Sequence, residues 1–147
     1  AGFLYRILGD MLFSESSEAF AEMSGKGLCT EAPSVAYISE NGGILTVSGW
    51  SEKSEETVKI ISRALQNFVY GGRVDSRAFD RAVKRLLGEV MKALDDTHIC
   101  ITAQSEWNKE RLTAPEIISM IKSIRERDIY YAAEKTENVC GTGICGK

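Results

Sequence analysis

SVAYISE (34–40), NGG (41–43) and ILTVSGW (44–50) form the stretch on which the fold turns. Asn-Gly between two alternating, β-branched runs is the strongest short-range hairpin signal, because a tight turn needs positive φ at its central residues. A hairpin is therefore expected from Ser34 to Trp50, with Pro33 just ahead of it.

Toward the N-terminus, Phe3 to Phe13 carries apolar residues on nearly every helical face. Such a helix is deeply buried or packed against another subunit. Ser14 to Ser24 continues as a more polar helix with Ala19, Phe20 and Met23 on its apolar side, stopped by Gly25 and Gly27. Toward the C-terminus, Ser51 or Ser54 caps a helix that buries Val58, Ile61, Leu65 and Phe68 and ends at Gly71-Gly72. A second long helix follows over 73–92. After Asp95-Asp96, the β-branched run from Thr97 to Ala103 predicts a third strand, and SEWNKER (105–111) a loop or strand edge carrying Trp107. Thr113, Pro115 and Glu116 make a helix start of cap, early proline and reciprocal glutamate. That helix buries Ile117, Ile121 and Ile124 and exposes Lys122, Arg125 and Arg127; YYAAEKTEN (130–138) is ambiguous between helix and strand. The order predicts an α+β fold, about five helices packed on a small antiparallel sheet.

With 147 residues, 44% of them apolar and 27% charged, the chain has enough material for one globular core. Residues 1–139 read as a single α+β domain and 140–147 as a glycine- and cysteine-rich tail. The opening segment is apolar but short and is interrupted by Arg6 and Asp10, so it predicts neither a membrane span nor a signal peptide. Four cysteines of unlike spacing suit a reducing compartment, and a cytoplasmic location is the expectation.

The long helix over 73–92 carries the main functional hint. Phe79, Val83, Leu86, Leu87, Val90 and Leu94 gather on one side; Arg73, Arg77, Arg81, Lys84, Arg85 and Lys92 gather opposite. Six basic and three acidic side chains give this stretch +3, while the whole chain is −3. The positive potential is thus local, unlike the broadly basic footprint of most nucleic-acid-binding domains. A cationic face repels itself unless something negative lies against it. The expected function is a non-enzymatic subunit of a larger assembly. Its partners are other protein subunits, met by the apolar first helix, and a phosphate backbone held without base readout or an acidic protein surface. Lys122, Arg125 and Arg127 extend the track if the two helices lie side by side. An acidic neighbour within the fold would instead absorb the charge. Trp50, Trp107, Tyr130 and Tyr131 are base-stacking candidates, with core or interface roles as the alternative.

The tail supplies the competing hypothesis. Cys140 and Cys145 stand four residues apart among glycines, which permit the tight turns of a metal loop. The six-residue pattern resembles the C-x4-C opening of plant-type [2Fe–2S] loops, which need a further cysteine three positions on; the given sequence stops at Lys147, one position before that ligand would stand. Cys29 and Cys100 are the remaining thiols. On this reading the protein is a metal-dependent or redox accessory factor holding zinc or an iron–sulfur cluster; otherwise no cofactor is expected. Enzymatic readings have little foothold. GxSxG, HExxH and P-loop patterns are absent, His98 is the single histidine, and the acidic residues cluster at helix starts, where they complement the macrodipole.

Overall fold

A computed structural model describes residues 2–38, 44–71, 73–96 and 112–135. Among them are helices α1 (Gly2–Phe13), α2 (Glu18–Gly25), α3 (Ser54–Gly71), α4 (Ser76–Asp95), α5 (Ala114–Ser123) and α6 (Glu126–Lys135), with strands β1 (Ser34–Ile38) and β2 (Ile44–Ser48). The strands pair antiparallel, Val35 opposite Val47, as the Asn-Gly signal requires. The α+β, mainly helical expectation holds, with six helices among the described residues. The third strand expected at Thr97 to Ala103 lies outside the described residues, as do His98, Cys100, Trp107, Cys140 and Cys145.

Local chemistry accounts for the helix ends. The Ser17 hydroxyl accepts the Phe20 N–H at the start of α2. Its end is closed by Gly27 at φ 67, which lets the Leu28 N–H reach back to the Met23 carbonyl at 2.9 Å. The Asp75 carboxylate accepts the Arg77 N–H, so α4 begins at Ser76 and not at Arg73. At α5 the expected capping box forms: the Glu116 carboxylate accepts the Thr113 N–H at 2.7 Å, and this bond holds it below the usual glutamate range.

The central element is α1. It packs against β1, α4, α6, α2 and α3, which explains a helix apolar on nearly every face. Ile7, Leu8, Gly9 and Phe13 are buried by these neighbours, while Phe3, Leu4, Tyr5, Met11 and Leu12 are half-buried. Ile7 and Leu8 belong to a core shared with Phe79, Leu86, Val90, Ile117, Ile121 and Ile129. Phe13 belongs to a second core with Met23, Leu28 and Ile60, joined by Val35 and Val47 from the sheet.

Two helix faces differ from their periodicity. On α4 the buried line runs through Phe79, Ala82, Leu86, Val90 and Ala93, while Met91 and Leu94 are exposed. On α3 it runs through Thr57, Ile60 and Phe68, with Val58, Ile61 and Leu65 half-buried. On α4, the small alanines admit close backbone approach, and that geometric gain outweighs burying one more leucine. Within 130–138, the described part is helical to Lys135. Tyr130 stacks on Phe68 with ring centroids 5.7 Å apart, and its hydroxyl accepts the Val74 N–H at 2.6 Å.

Candidate functional site

A cleft of about 520 Å³ opens between α1, α4 and residues 31–35. Its buried lining is apolar, formed by Ile7, Phe13, Ala82 and Leu86; its rim is charged, with Arg6, Asp10, Glu15, Glu31, Arg85 and Glu89. Two helical repeats build the rim. Arg6 and Asp10 lie one turn apart on α1, as do Arg85 and Glu89 on α4, so each helix presents one cation and one anion to the other. Arg85 Nη1 donates to Asp10 Oδ1 at 3.1 Å, and its Nε lies 3.9 Å from Glu89 Oε1. Arg6 closes the chain of charges on the other Glu89 oxygen.

Burial pushes the Asp10 carboxyl above the ordinary aspartate range, and Glu89 adds to the shift; Arg85 and Arg81 oppose it. An acid whose native pKa is raised contributes stability that is complete below its unfolded value. That contribution is lost as pH rises through the native value. Charged Asp10 therefore depends on Arg85 at neutral pH. Arg85→Gln is expected to cost about 1 kcal/mol at pH 7, a figure discounted for the exposure of the guanidinium. Most of that loss should vanish at about pH 3, below the ordinary aspartate value, where Asp10, held above that value, is protonated. Urea titrations at the two pH values check this, and an equal loss at both would contradict it.

The charged clasp changes the standing of the basic face. Of the six cations on 73–92, Arg85 is bound inside the fold. Arg73, Arg77, Arg81, Lys84 and Lys92 are exposed and make no ion pair with a described residue. α4 and α5 pack side by side, as the expected track requires; α5 ends at Ser123, the backbone of Ile124 is extended, and α6 starts at Glu126. Lys122 is exposed on the last turn of α5. Arg125 turns back to donate to the Lys122 carbonyl at 3.0 Å, closing the end of α5. Of the stacking candidates described, Tyr130 packs on Phe68 and Trp50 is exposed. Arg6, Asp10 and Glu89 were not singled out by sequence. Their signal was a pair of opposite charges at i, i+4 on each of two helices.

No protein-family model and no curated protein matches the chain. The architecture does have a counterpart among solved structures. It superposes on a protein from Alicyclobacillus acidocaldarius described as an M16-like peptidase, with a TM-score of 0.81 at 21% identity over 91% of this chain. The fold is one seen in an M16-like peptidase. This chain spans 32% of that protein's length, about a third.

That likeness overturns the expected function. The fold has its counterpart in a peptidase, not in a nucleic-acid-binding subunit or an iron–sulfur accessory protein. The physical reason lies in α4: its amphipathicity serves packing on α1 and α5, and Arg85 is already bound by acids of the same fold. The metal hypothesis for Cys140 and Cys145 falls on residues outside those described. Among the described residues, no three His, Cys, Asp or Glu side chains converge to hold a metal ion, and no helix is long and apolar enough to cross a membrane.

Proposed function

We propose that this chain is a non-catalytic segment of a larger, M16-like peptidase-type molecule, where it supports and walls the part that performs hydrolysis. The observation that carries this reading is the fold: near-complete agreement over this chain, against about a third of the counterpart. The chemistry of the described residues agrees with a supporting role. Amide hydrolysis requires a nucleophile or metal-bound water with a base in reach. Here Asp10 and Glu89, the two cleft acids that share Arg85, are both engaged by arginines. Cys29 is half-buried, beside the second core. The partners on this reading are the remaining parts of the same molecule.

The test is hydrolysis of a pool of quenched-fluorescent peptides by the full-length polypeptide and by the 147-residue chain. Cleavage by the full-length protein alone is the expected result. Cleavage by the 147-residue chain would remove the non-catalytic role, and a full-length protein inert toward the whole pool would remove the peptidase reading.

A further inference from the structure

We draw no further inference here: the strongest candidate, the cavity of about 320 Å³ among Met23, Cys29, Val47, Trp50, Val58 and Ile61 at the end of β2, is a mainly apolar recess walled by an exposed tryptophan, and nothing among the described residues shows what covers it.

Discussion

Gly9→Ala is expected to destabilise the fold by about 3 kcal/mol, the upper range for forcing a methyl into a packed site. The sign is not obvious from sequence. In a helix interior alanine is favoured over glycine by roughly 1 kcal/mol, so propensity alone predicts a gain. Tertiary packing reverses it. A Cβ on Gly9 would lie 3.0 Å from Val35 Cβ and 3.2 Å from Cγ2, and closer still to Cγ1. Carbon atoms prefer about 3.5–4.0 Å, and a β-branched side chain held in a strand has little freedom to turn away. Either β1 lifts off α1 or the helix shifts, and both disturb the seam between the two cores. Denaturation midpoints of Gly9→Ala, Val35→Ala and the double variant would measure this. The double variant should be more stable than the sum of single losses by about 1–3 kcal/mol, because removing the Val35 methyls makes room. A Gly9→Ala protein as stable as the parent would show that α1 and β1 are not in the contact described.

Phe13→Ala should cost still more, about 3–5 kcal/mol. Phe13 is fully buried at the end of α1, within the core of Met23, Leu28 and Ile60, and it also backs the charged cleft. Truncation removes a large apolar contact and opens the core toward that cleft, so water would enter a site built to exclude it. Leu94→Ala is the control: Leu94 is 39% exposed despite its apolar position on α4 and should lose well under 1 kcal/mol. Urea midpoints at unchanged m report both. Equal losses at the two sites would mean that the sequence periodicity of α4, and not the packing described, gives its true inward face.

The parts legible in sequence are those whose causes are local. Asn41-Gly42 between alternating runs marked the hairpin, and the antiparallel pairing of Val35 with Val47 agrees. Thr113, Pro115 and Glu116 marked a helix start because a capping box is closed within four residues, and its bonds are present. Ile117, Ile121 and Ile124 were correctly placed inward. The candidate site was much less legible. Arg85 looked like one of six equivalent cations, yet its partner Asp10 is 75 positions away. Arg125 looked like the continuation of a basic track, yet its guanidinium closes the end of α5. The α4 face was misjudged toward Leu94, because periodicity weighs hydrophobicity and does not know that Ala82 and Ala93 admit a neighbouring helix.

By itself, then, the sequence determined the kinds of element, most of their ends and the α+β class, since turn chemistry, capping and apolar spacing act over a few residues. The tertiary structure alone decided which face of α1 is packed on the other helices and the sheet, and that α1 and α4 are joined by alternating charges. Those features depend on which surfaces meet across long stretches of chain, and neither residue type nor spacing encodes that meeting until the helices have packed.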